Sequence, residues 1–148
     1  MKYKLGVLTL AVLLAACAAP APTSQSAGAA DAVNADLDCR LASNCVNSRG
    51  TGSLAPLRYA GTPEQALALL QATVATFPEA KVERAEPLAL VLIFTTPAGF
   101  RDQVNFKIDP QERRIEFRSR SLFGLFDFGK NRSRMQEFAT RFEQQSRR

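Results

Sequence analysis

Histidine is absent from the 148 residues, and with it go the commonest general base and the histidine-bearing hydrolytic triads. No glycine loop of the phosphate-binding type is present, so a nucleotide cradle built on backbone N–H groups has no place to form. Cysteines number three. There is no second cysteine pair, and no histidine, to complete a tetrahedral metal site. The longest apolar run, Leu5 to Leu14, falls short of the roughly 20 residues a membrane helix needs. Internal repeats are also lacking. Asp102, Asp109, Asp127, Glu112 and Glu116 leave a carboxylate mechanism as the one enzymatic route.

What is there begins with "MKYKLGVLTLAVLLAAC", in which Lys2 and Lys4 precede the apolar run and small residues close it. That is the pattern of a bacterial secretion signal, expected over residues 1–16 and set apart from the fold. Leu14, Ala15, Ala16 and Cys17 resemble the lipobox of bacterial lipoproteins. The resemblance implies a diacylglyceryl group on the Cys17 thiol, with Cys17 as the new N-terminus. Paired acyl chains hold a protein to a bilayer where one chain is marginal. Ala18 in place of an aspartate implies the outer membrane, with the chain facing the periplasm.

Residues 17–36 are then the lipidated cysteine and a tether rich in alanine, proline, serine and glycine. Residues 37–148, about 110 in all, have the size of a single domain. The net charge is +5, and +3 once Lys2 and Lys4 are removed with the signal. Acidic and basic residues balance up to Gly99, so the excess lies beyond it and is mostly arginine. An exported chain of this kind suits anionic lipid, lipopolysaccharide or an acidic protein face, and nucleic acid is not an expected partner. Cys39 and Cys45 remain as a pair in "CRLASNC". An oxidising compartment closes such a pair into a disulfide, with a metal pair as the rival reading.

Thr62, Pro63, Glu64 and Gln65 form a capping box with proline at the first helical position. Leu67, Leu70, Val74 and Phe77 repeat at helical spacing up to Pro78. Four strands are expected next, at about 80–86, 88–95, 102–108 and 113–119. "LALVLIFTT" is apolar on both faces and belongs inside a sheet. Ile115 and Phe117 point inward in the fourth strand, which sends Arg114, Glu116, Arg118 and Arg120 to the other face. A closing helix, capped by Ser133 with Gln136, buries Met135, Phe138 and Phe142. The expected class is α+β, an antiparallel four-stranded meander flanked by two helices in the order α-β-β-β-β-α.

"CRLASNCVNS", "FRDQVNFKID" and "RSRSLFGLFDFGKNRSRM" resemble the bacterial and plastid family catalogued as domain of unknown function 1499. Arg118, Ser119, Ser121, Gly124, Asp127, Gly129, Asn131 and Arg134 carry its C-terminal motif. The chain departs from the pattern in having Phe100, Arg101 and Asp102 where an aspartate pair is usual, and Leu122 in place of an arginine. The resemblance implies an envelope or organelle setting and no established activity.

The stretch from Arg118 to Arg134 has two readings. In one, Arg118, Arg120, Lys130, Arg132 and Arg134, with Asp127 and Asn131, bind an anion or a partner beside the closing helix. In the other it is a structural corner. Asp127 and Asn131 then serve as turn and cap, Asp127 pairs with Arg118 or Arg134, and Leu122, Phe123, Leu125, Phe126 and Phe128 form core and lid. The expected role is a non-catalytic binding or structural module without metal or cofactor. A carboxylate-dependent envelope hydrolase using Asp127 is the alternative.

Overall fold

The Thr62 hydroxyl accepts the backbone N–H of Gln65 at 3.3 Å, and the Gln65 side chain accepts that of Thr62 at 2.9 Å. This reciprocal cap starts helix α1, Pro63–Val74, with proline in the first turn. The Thr62 hydrogen bond also holds the Glu64 carboxyl below its ordinary pKa. The structure is a computed structural model that describes residues 37–50 and 54–148. The signal segment, Cys17 and the tether expected over 17–36 lie outside the described residues.

Among the described residues six strands follow one another, β1 Cys45–Asn47, β2 Leu57–Arg58, β3 Ala80–Glu86, β4 Ala89–Thr95, β5 Arg101–Asp109 and β6 Arg114–Ser121, and helix α2, Lys130–Ser146, comes after them. They make one antiparallel sheet in the order β1-β6-β5-β4-β3, with β2 also on β6. The α+β class holds, but the four-stranded meander is corrected to six strands. β1 pairs Cys45 to Asn47 with Arg120 to Arg118, and β2 pairs Leu57 and Arg58 with Ile115 and Arg114. Strands of three and two residues are too short to show an alternation. They cover the edge that β6 would otherwise leave open.

The two sheet faces sort as the alternation requires. Leu90, Leu92 and Phe94 of β4, Val104, Phe106 and Ile108 of β5, and Ile115 and Phe117 of β6 meet Leu70, Val74 and Phe77 from the first helix region and Met135, Phe138 and Phe142 of α2. Phe138 stacks on Phe77 with centroids 5.6 Å apart and lies 4.8 Å from Phe106. Tyr59 joins this core and donates its hydroxyl to the Asp109 carbonyl at 3.2 Å. Burial, and then the nearby Asp109 charge, push its phenol pKa up.

The start of α2 differs from the expected Ser133 cap. Its N-cap is Gly129 at φ 79°, which has no side chain to offer. Asp127 supplies the oxygens instead: Oδ1 accepts the N–H of Gly129 at 3.0 Å and Oδ2 that of Asn131 at 2.9 Å. The helix therefore begins one turn earlier, and the Ser133 N–H makes an ordinary helical bond to Gly129.

Candidate functional site

Alternation places Asp102, Ser119 and Ser121 on the helix-facing side of the sheet, at the end where its apolar residues run out. Helix α2 sets Asn131 and Arg134 over them, one turn apart on one face. Asn131 is wholly buried and uses every side-chain position. Its Oδ1 accepts from the Ser119 hydroxyl at 2.6 Å and from Arg134 at 2.8 Å, and its Nδ2 donates to the Asn44 carbonyl and the Ser121 hydroxyl, each at 3.2 Å. Arg134 reaches Asp102 Oδ2 at 2.6 Å and lies 4.7 Å above the Phe94 ring. The Ser121 hydroxyl donates to the other Asp102 oxygen at 2.7 Å. Every member is satisfied, and such a network fixes one geometry for the groups it joins. It locks strand to helix.

Between β6 and α2 the chain runs through residues 122–128, and here the expected core and lid are corrected. Leu122, Phe123, Leu125, Phe126 and Phe128 are all exposed, Phe128 at 99 % and Phe123 at 76 %. Phe100, from the β4–β5 turn, is 55 % exposed and stacks on Phe123 at 6.5 Å. The core is already filled by Phe77, Phe94, Phe106 and Phe138, and the loop's own backbone is tied to other groups. The Ser43 hydroxyl donates to the Leu125 carbonyl at 2.5 Å, Asn44 Nδ2 to the Gly124 carbonyl at 2.7 Å, and the Asp127 N–H to the Ser43 carbonyl at 3.1 Å. Ser43 and Asn44 lie inside the ring closed by the Cys39–Cys45 disulfide, whose Cα atoms are 5.5 Å apart. The cysteine pair is a disulfide and not half of a metal site. No cluster of metal-ligating side chains occurs among the described residues.

On the other sheet face, Arg118 donates to Asn105 Oδ1 at 3.1 Å and to the Asp38 carbonyl at 3.4 Å. Arg120 donates to Gln103 Oε1 through two nitrogens, at 3.0 and 3.3 Å. Glu116 binds Arg49 through Oε2 and Arg114 through Oε1 at 3.2 Å. Arg40, Arg118 and Arg120, with Asp38, Asn44 and Ser121, line a groove of about 540 Å³ at the β1–β6 end.

The sequence-predicted residues thus divide. Asp127, Asn131 and Arg134 belong to the corner, and Arg134 pairs with Asp102, not with Asp127. Arg118 is buried at 4 % but reaches the groove, and the half-buried Arg120 lines it. Lys130 and Arg132 are exposed on the first turn of α2 and do not line that groove. Lys130 lies instead beside Phe100, Phe123, Phe126 and Phe128, around a smaller cleft of about 260 Å³. Sequence reading missed Arg40, Asp38 and Asn44, because a disulfide loop carries no period that says what it faces.

Fold and corner together define an α+β sheet domain whose last strand and last helix are cross-linked by an Asp–Arg–Asn–Ser network. The chain belongs to the family described as proteins of unknown function, DUF1499, whose profile matches residues 36–142. No curated protein and no solved structure matches it.

Proposed function

We propose that the protein is a non-catalytic, lipid-anchored binding module of the cell envelope, held by acylated Cys17 at the outer membrane and facing the periplasm. Its binding surface takes an anionic group, of the kind carried by a lipid headgroup, lipopolysaccharide or an acidic protein. The observation that carries this reading is the convergence of Arg40, Arg118 and Arg120 on one groove. Arg120 is held by the neutral amide of Gln103 and has no carboxylate partner among the described residues, so its charge is available to a ligand. A guanidinium braced in this way is preorganised for phosphate or carboxylate oxygens. The capping role of Asp127 supports a binding module over a hydrolase, since both carboxylate oxygens already accept backbone N–H groups.

Binding of the full mature chain to lipopolysaccharide and to phosphatidylglycerol vesicles tests the surface. Arg40→Ala with Arg120→Ala is expected to weaken binding and flatten its salt dependence, since the Debye length is about 8 Å at physiological salt. The fold should be untouched. Unchanged binding in the double variant would dismiss the groove. Intact-mass analysis for a diacylglyceryl-modified Cys17 tests the anchor separately.

A further inference from the structure

Six large apolar side chains, Phe100, Leu122, Phe123, Leu125, Phe126 and Phe128, stand exposed at one end of a domain whose core is otherwise closed. Contiguous exposed apolar surface on this scale marks an interaction site. The loop is not a loose segment that merely failed to pack. Its carbonyls at Gly124 and Leu125 are held by Asn44 and Ser43, the Leu122 N–H donates to the Arg101 carbonyl at 3.0 Å, and Asp127 fastens its far end. The backbone is pinned from behind while the side chains face outward.

Phe128 adds an independent sign. It sits at φ 52°, a left-handed conformation that bulky residues rarely adopt, while its ring is almost fully in water. Such strain persists only where the surroundings impose it, and it gathers at functional sites. Here the Asp127 cap and Gly129 at φ 79° on either side impose it.

Charge indicates what covers the patch. The exposed cations Arg101, Lys130 and Arg132 flank the aromatic residues in the chain, and Lys130 lines the same cleft as four of them. The two acids that line this cleft are neutralised or engaged: Asp102 is paired with Arg134, and Asp127 accepts two backbone N–H groups. An apolar tip of phenylalanine and leucine with flanking cations and no free carboxylate in its cleft matches the headgroup and acyl boundary of an anionic bilayer. Ser121 lines both this cleft and the arginine groove, so the two surfaces adjoin.

We propose that residues 122–128, with Phe100, form a pinned aromatic loop that inserts into the interfacial zone of an anionic phospholipid bilayer, with Arg101, Lys130 and Arg132 contacting headgroups. This rests on the membrane-bound reading above and gives its surface a depth and an orientation. The Cys39–Cys45 ring is the brace that presents the loop.

Because the chain contains no tryptophan, Phe126→Trp makes a single reporter at the tip, and Leu88→Trp, at an exposed site in the β3–β4 turn, makes a control. The full mature chain is mixed with phosphatidylcholine vesicles, with or without phosphatidylglycerol, carrying bromine at a shallow acyl position. Phe126→Trp emission is expected to shift to the blue and be quenched, more so with phosphatidylglycerol, while Leu88→Trp stays unquenched. Phe123→Ser with Phe126→Ser should weaken partitioning into these vesicles by roughly a hundredfold, as burial of two aromatic rings implies. Equal quenching of tip and control on floated vesicles overturns the proposal. So does a tip shielded from aqueous quencher by self-association without lipid, which would make the patch a protein interface. The mass of Cys17 keeps the two readings apart. An unacylated chain with a quenched tip removes only the anchor, and an acylated chain with an unquenched tip removes only the insertion.

Discussion

At Asp102 a single carboxylate holds two partners, Arg134 at 2.6 Å and the Ser121 hydroxyl at 2.7 Å, with about 5 % of its side chain exposed. Removing one member of a buried ion pair leaves the other charge uncompensated, at a cost of about 3–5 kcal/mol. Asp102→Ala should show that loss in urea melts, and Asp102→Leu with Arg134→Met should recover much of it. A loss well under 1 kcal/mol in the single variant would mean the pair is solvated. Tyr59 gives a pH signature. Its phenol pKa is raised, so the stability it contributes is whole below about pH 10 and is lost as pH rises through the raised value. Tyr59→Phe should cost about 0.5–1.5 kcal/mol at neutral pH through the lost hydrogen bond and should flatten the alkaline end of a stability–pH curve. Glu64 has the opposite sign: its lowered pKa means a contribution present above the ordinary carboxylate pKa and lost as pH falls through the folded value.

Elements begin and end here by local chemistry that is only partly written as a motif. The box at Thr62 and Gln65 is contiguous, so helix α1 and its cap could be read directly. Helix α2 starts on Gly129 with its capping oxygens two residues upstream, an arrangement that depends on left-handed turns at Phe128 and Gly129. A Cβ on Gly129 would meet nothing within 4 Å, so Gly129→Ala isolates the backbone strain. A loss of about 1–3 kcal/mol in melting experiments is expected for that alone. The disulfide closes a short loop, with a sequence separation of 6. By loop entropy it contributes about 2 kcal/mol, so Cys39→Ser with Cys45→Ser should still fold. Its larger effect should be local: faster amide exchange at Asp127, whose N–H donates to the Ser43 carbonyl in that ring. Unchanged exchange there would separate the ring from the loop.

Across the whole molecule, the apolar periods determined most of the architecture. Strands β3 to β6 fall within two residues of the spans expected from alternation; the closing helix buries Met135, Phe138 and Phe142 as its spacing selects, and of the first helical run Leu70, Val74 and Phe77 are buried while Leu67 is only partly so. Core burial follows a period of two or 3.6, and a period is visible in a single chain. The excess of arginine beyond Gly99 and the pairing of Cys39 with Cys45 were equally legible, because they depend on composition and count. Only the tertiary structure decided the rest. Strands β1 and β2 are stabilised by a partner strand 56 to 75 residues away, as the pairs Arg58 with Arg114 and Cys45 with Arg120 show. Arg134 could have met Asp127, seven residues away in the chain, yet the sheet delivers Asp102 to it from the opposite wall. The phenylalanines of 122–128 read as core by hydropathy, and they are outside because the core was already full and their backbone was bonded elsewhere. Hydropathy states what a side chain would prefer, but which side chains obtain a place is settled by packing volume and by the competing demand of backbone groups for partners.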